Sequence, residues 1–247
     1  MTCDVLAFGA HPDDVELTVG GTVLSLVDQG YTVGIVDMTR GEMGTRGTPE
    51  IRAREAAEAA RRLGVSVRRN LGLPDGRVAL DDTSREEAIR VLRDLRPSLV
   101  LAPVEVDLHP DHQWTGRIVK EACFLAGLER WSTGQRPHRP RTTLGYVTHT
   151  TVEPDVVIDI TPFFTKKKEA CLAYQSQFHD PESNEPATYI SSSGFWDWWE
   201  ARARSYGHAI GVTYGEGLVH DGPVPVTDPV RQFVDFGYYP VSEDEES

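Results

Sequence analysis

Two short stretches of this sequence carry residue types that could do chemistry. One is Ala10-His11-Pro12-Asp13-Asp14-Val15-Glu16, and the other is Asp107-Leu108-His109-Pro110-Asp111-His112. Imidazoles and carboxylates together suit a divalent metal, with zinc the leading choice. A catalytic zinc takes three protein ligands and leaves one position open. His11, Asp14 and His112 make such a set, two imidazoles and one carboxylate. His11 and Asp14 are three residues apart in a turn, so both can point at one ion. Asp13 would point elsewhere and could act as base on a water whose pKa the ion lowers toward ~7. His109 could give a proton to a leaving group or stabilise an oxyanion, with Asp111 to orient it. The same ligand set also holds iron(II) in the facial triad of oxygenases. The plainer alternative is that Asp13 and Asp14 only complement the dipole of a helix N-terminus. Two His/Asp clusters at equivalent strand ends weigh against it.

Both stretches follow a strand pattern and open a helix pattern. Val5–Gly9 is a short apolar run closing in glycine, and Val15–Leu26 has apolar residues at helical spacing. Tyr31–Met38 reads as a strand. Glu50–Leu63 reads as a helix with Ala56, Ala57, Ala60 and Leu63 on its apolar face, and Gly64 stops it. Val65–Leu71 is a further strand. Thr83 or Ser84 is expected to cap a helix through Leu95, which Pro97 keeps from continuing. Leu99–Pro103 is a buried strand and Gln113–Leu128 a helix. Strands alternating with helices predict an α/β, Rossmann-like fold, with a mostly parallel sheet and helices on both faces. In the doubly wound order 3-2-1-4-5 the first and fourth strands are neighbours, and ligands bind at the carboxyl ends where the order reverses. The two His/Asp clusters would then face each other across that crevice.

Beyond about Gln135 the pattern changes. Arg136–Arg141 reads as a linker, Thr142–Thr150 and Val156–Ile160 as strands, and Thr161–Phe178 and Phe195–Tyr206 as helices. Lys166–Lys168 are expected on a solvated face, and Trp196, Trp198 and Trp199 cluster. The expected organisation is one domain over 1–240, with a core to about 130, a C-terminal extension over about 140–240, and an acidic tail at 241–247.

Composition excludes several classes. In 247 residues, 39% hydrophobic and 26% charged, there is enough apolar material for a core, which rules out wholesale disorder. The net charge of −13 repels phosphate backbones, so no nucleic-acid partner is expected. No run reaches the ~18 apolar residues of a membrane helix, and the N-terminus has no secretory pattern. Cys3, Cys123 and Cys171, an odd number without CxxC spacing, read as reduced thiols, so a cytoplasmic location is expected. The chain lacks GxGxxG after the first strand, and Asp13 and Asp14 would repel a pyrophosphate, which argues against a nicotinamide cofactor. It also has no identifiable serine nucleophile elbow.

At the two motifs the sequence resembles the PIG-L/LmbE-like family of zinc-dependent N-acetylglucosamine deacetylases, from about residue 3 to about residue 230. The resemblance implies a Rossmann-like fold, one zinc per chain held by His11, Asp14 and His112, Asp13 as general base, and His109 with Asp111 behind it as the electrostatic or acid partner. Thr39–Gly47, Pro74-Asp75-Gly76, His138-Arg139-Pro140, Tyr174–Phe178 and Tyr214–Gly217 look most like the bacillithiol-pathway branch. That branch implies N-acetylglucosaminyl-malate as substrate and a homo-oligomer, a hexamer. It also implies Arg52 as a substrate contact. Independently, Arg40, Arg46, Arg52 and Arg54 crowd the segment after the second strand, where an arginine could hold a carboxylate bidentately. Their ordinary role would be pairing with Glu50, Glu55 or Glu58 at the surface. Related enzymes use a tyrosine from a late loop near the acetyl oxygen; Tyr189 and Phe195 are the candidates here, and a phenylalanine cannot donate that bond. Two other readings stand: hydrolysis of a different sugar (a chitobiose-like compound or a mycothiol precursor), and a metal- or sugar-binding module without turnover.

Overall fold

The computed structural model of the chain describes residues 2–150, 152–178 and 184–234. The acidic tail expected at 241–247 lies outside the described residues, as do 235–240. In chain order the elements are β1 (Val5–Gly9), α1 (Asp14–Asp28), β2 (Val33–Thr39), α2 (Pro49–Leu63), β3 (Val67–Leu73), α3 (Asp82–Leu95), β4 (Leu99–Pro103) and α4 (Pro110–Leu125). There follow β5 (Thr142–Tyr146), β6 (Val156–Asp159), a 3-10 turn at Thr161–Phe163, α5 (Phe164–Cys171), α6 (Phe195–Ala209), β7 (Gly215–His220) and α7 (Pro229–Phe233).

One seven-stranded sheet runs β3-β2-β1-β4-β5-β7-β6. β1 pairs in parallel with both β2 and β4, so the order reverses at β1/β4 as the alternation predicts. β7 is antiparallel to both β5 and β6, and the C-terminal segment thereby widens the same sheet. The pleat sends alternate residues of β1 to opposite faces. Leu6 and Phe8 join a core with Met38, Ile89, Leu92 and Ile118, under α3 and α4. Val5 and Ala7 join a second core with Val15, Val19, Ile35 and Tyr146, on the α1 side. A third cluster packs Phe164, Tyr174, Phe178, Phe195 and Trp199 against Ala56 and Ala59 of α2. No helix among the described residues is long and apolar enough to cross a membrane.

Several elements depart from expectation, each for a local reason. The cap of α3 is Asp81, whose carboxylate accepts from the Ser84 N–H at 2.7 Å, rather than Thr83 or Ser84. α4 begins at Pro110, three residues before the expected Gln113, because His109 is its N-cap and proline is well suited to the first helical position. Asp111 and His112 therefore stand in the first helical turn. α2 buries Arg52, Ala56, Ala59 and Leu63, so Ala59 replaces Ala57 and Ala60 on its inner face and Arg52 heads it. β5 stops at Tyr146 instead of Thr150, and α5 covers only part of 161–178. β7 was not expected. Lys167 is a further correction. It is 2% exposed, and its ammonium meets Glu216 of β7 at 2.7 Å instead of facing solvent with Lys166 and Lys168. The three cysteines are free and buried.

Candidate active site

The β1–α1 turn sets two adjacent aspartates to different tasks. Asp14, the first residue of α1, accepts the His11 N–H on Oδ2 at 2.8 Å, and its Oδ1 lies 3.3 Å from His112 Nε2. Asp13, the N-cap, has φ +115°, which non-glycine residues rarely adopt. Such backbone costs of order 1–3 kcal/mol and concentrates at functional sites. An N-cap aspartate usually accepts an N–H of its own helix. Asp13 makes no such bond, and its carboxylate instead meets Arg52 Nη2 at 3.1 Å. Burial pushes the Asp13 carboxyl up, Arg52 opposes this and Asp14 adds to it; the result is about 7.

The β4–α4 turn brings three histidines together through Asp107. Its Oδ1 accepts the His109 N–H at 2.9 Å and lies 3.1 Å from His112 Nδ1 and 3.2 Å from His149 Nδ1. Its Oδ2 accepts the His149 N–H at 3.0 Å. These bonds overcome burial and hold the Asp107 carboxyl well below the usual range. A carboxylate on Nδ1 fixes the proton there and turns the Nε2 lone pair of His112 toward Asp14. His109 is set the other way. Its Nδ1 accepts the Asp111 N–H at 3.2 Å, so a neutral His109 carries its proton on Nε2. Burial, then the neighbouring imidazoles of His11 and His112, pull His109 below its ordinary value and favour that neutral form.

His11 completes the centre. Its Nε2 lies 3.0 Å from Asp75 and 3.3 Å from Asp111, while Nδ1 lies 3.5 Å from Asp14. One ligand atom each from His11, Asp14 and His112 falls within 4.8 Å of the others. The ligand atoms of two overlapping groups, His11–His109–Asp111 and Asp107–His112–His149, lie as close together. Their carboxylates are already engaged: Asp111 accepts the N–H groups of Gly76 and Val78, and Asp107 accepts four donors. Asp14 turns Oδ2 toward His11 and Oδ1 toward His112. The donor chemistry fits a cation. Burial alone would depress His112, yet Asp14 and Asp107 hold it up at about 9, and His11 is likewise raised against burial by Asp111, Asp14 and Asp75. The site attracts positive charge that a divalent ion can supply in place of those protons.

The remaining expected residues fall into place around this centre. His11, Asp13, Asp14, Arg52, His109 and His112 all line one cavity of about 250 Å³. Asp111 sits behind it, and its backbone N–H, not its carboxylate, bonds to His109; the carboxylate supports His11 and the 76–78 backbone. Arg52 is 5% exposed and commits Nη1 to the Gly41 carbonyl and Nη2 to the Pro12 carbonyl and Asp13, with Nε unpartnered. Gly41 adopts φ +68°, and a Cβ there would lie 2.0 Å from Nη1, so only glycine admits this guanidinium. Arg46 bonds the Ser176 carbonyl and lies outside the cavity lining. Phe195 lines the cavity. Tyr189 does not, and stands edge-on to His149 and Phe195, with ring centres 6.3 and 5.9 Å away. Sequence reasoning gave no role to Asp75, Asp107, His149 or Arg202. Asp75 and Asp107 lie inside motifs already noted, at the ends of β3 and β4. His149 and Arg202 carry no local signal.

The chain belongs to the PIG-L family. The family model described as "PIG-L: GlcNAc-PI de-N-acetylase" matches residues 6–123, which include both metal-site turns. The chain is 31% identical over 234 residues to the diacetylchitobiose deacetylase of Thermococcus kodakarensis, covering 87% of this chain and 81% of that protein. It is 30% identical to a probable N-acetyl-α-D-glucosaminyl L-malate deacetylase 2 of Bacillus cereus, covering 70% of this chain and 83% of that protein. Among solved structures, the conserved protein TT1542 of Thermus thermophilus superposes with a TM-score of 0.84 at 38% identity, covering 92% of this chain and 98% of that one.

Proposed function

We propose that this protein is a zinc-dependent hydrolase that removes the acetyl group from an N-acetylglucosaminyl conjugate, with N-acetylglucosaminyl-L-malate the leading substrate. The observation that carries the proposal is the division within one turn. Asp14 faces the two imidazoles, while Asp13, next to it, is held apart by Arg52 with its carboxyl raised to about 7. Bare metal binding has no use for that second carboxylate.

His11, Asp14 and His112 would hold the ion, with Asp107 and Asp75 orienting the two imidazoles. When bound, zinc supplies Lewis acidity, activating water and polarising the acetyl carbonyl. Asp13 takes the proton of the attacking water as its oxygen bonds to the carbonyl carbon. The Nε2–H of His109 donates to the oxyanion that develops. The C–N bond then breaks, and Asp13 returns the proton to the departing nitrogen, giving acetate and a free amine. Arg52 keeps Asp13 in place.

A neutral disaccharide is the second reading, favoured by the resemblance to the diacetylchitobiose deacetylase over most of both chains. Acetate release from N-acetylglucosaminyl-malate, N,N'-diacetylchitobiose and free N-acetylglucosamine, with zinc-loaded and chelator-stripped protein, tests both. Zinc-dependent release, fastest from the malate conjugate, is expected. Faster release from the disaccharide would select the second reading, and no release from any of them with zinc bound would reject the activity.

A further inference from the structure

The cavity holds two guanidinium groups, and they are not equivalent. Arg52 is neutralised by Asp13 at 3.1 Å and spends further N–H groups on two carbonyls. Arg202, on α6, lines the same cavity and has no carboxylate in ion-pair reach among the described residues. Its guanidinium lies over Trp198, 5.0 Å from the ring centre, and Nη1 donates to the Thr148 carbonyl. That carbonyl precedes His149, whose ring stacks on His112 at 5.1 Å, so the contact ties Arg202 to the metal-facing side. Burial pulls the Arg202 guanidinium below its ordinary value; Glu216, Asp107 and the phenols of Tyr206 and Tyr189 act on it only from a distance.

A half-buried cation without an anion is costly, and a fold usually supplies a partner. Among the described residues one of the five N–H groups of this guanidinium is used, which leaves a planar fork for a ligand. We propose that Arg202 is the specificity-determining residue that receives a carboxylate on the non-sugar part of the substrate, so that the enzyme prefers an anionic conjugate to a neutral one. This rests on the deacetylase reading above. It divides the work of the two arginines: Arg52 serves Asp13, and Arg202 chooses the substrate.

The test compares kcat/KM for N-acetylglucosaminyl-malate with that for N,N'-diacetylchitobiose in zinc-loaded wild type, Arg202→Met and Arg202→Lys. The ratio of anionic to neutral substrate should fall at least about tenfold in the Met variant, chiefly through KM for the conjugate. Arg202→Lys keeps the charge but not the planar fork, and should retain part of the ratio. A second arm needs no turnover: calorimetric binding of N-acetylglucosaminyl-malate to chelator-stripped protein should weaken about tenfold in Arg202→Met. Should zinc-loaded wild type hydrolyse neither compound, the deacetylase reading falls, and the binding arm alone still decides Arg202. A ratio and an affinity within about twofold of wild type in Arg202→Met, or equal losses in the Lys and Met variants, would overturn the assignment.

Discussion

On the wall of the cavity that carries His11, Asp14 and His112, Asp75 holds His11, the His11 N–H holds Asp14 and Asp107 holds His112. On the C-terminal wall, Phe195, Trp198 and Arg202 are held mainly by ring contacts, a cation over a ring and one bond to a carbonyl. The first wall is over-determined, as chemistry at fixed distances requires. The second is anchored by few directional bonds, as suits a surface that discriminates between substrates. His149 joins them, since it shares Asp107 with His112 and stands edge-on to Tyr189. On the proposed function, the reaction would belong to the first 123 residues and the choice of substrate to the rest.

The largest effect should come from removing a ligand on the first wall. His112→Ala should lose bound zinc and reduce acetate release by about 10⁴-fold or more, as metal analysis and single-turnover assays would show. Retained stoichiometric zinc would break the ligand set. His109→Gln should keep the metal and lower kcat about 10²–10³-fold, since the oxyanion loses its donor while substrate binding persists. An unchanged kcat would move the donor elsewhere.

The C-terminal wall also depends on one buried ion pair. Lys167 bonds Glu216, reaches the Thr18 carbonyl at 3.2 Å and lies over Trp199, 4.7 Å from the ring centre. Lys167→Met should destabilise the protein by about 3 kcal/mol, because Glu216 is left buried without its cation. For a chain of this size that lowers Tm by roughly 6–12 °C. The same change should leave zinc content at wild-type level, which separates the two walls; loss of zinc would merge them. The smallest effect should be that of Asp107→Asn. Weaker support of His112 should lower zinc affinity about 10–100-fold, measured by competition with a chelator, without abolishing the site.

The sequence made the first wall legible and the second mostly not. Val5–Gly9, Tyr31–Met38 and Leu99–Pro103 are apolar runs of strand length next to amphipathic helices, so the β1/β4 switch point and the two facing turns followed from local pattern. Element ends were less visible. Nothing local shows that His109 would cap α4 or that β5 would release 147–150 over the site. Lys167 was misplaced because its partner, Glu216, lies on a distant strand that carries two glycines and was itself missed. His149 and Arg202 gain their meaning only from tertiary contacts with residues 42 and 54 positions away. Arg52 was noticed, but its bond to Asp13 depends on the left-handed backbone of Asp13, which no propensity indicates.

The proposed function divides neighbours in the β1–α1 turn: Asp14 would hold the metal and Asp13 would move the proton. Asp13→Asn keeps the size of the side chain and removes only its basicity. Zinc content and acetate release should be measured on the same preparation of that variant. The predicted result is one zinc per chain with acetate release reduced about 10²–10⁴-fold. Activity within about tenfold of wild type, or loss of the metal itself, would contradict the account.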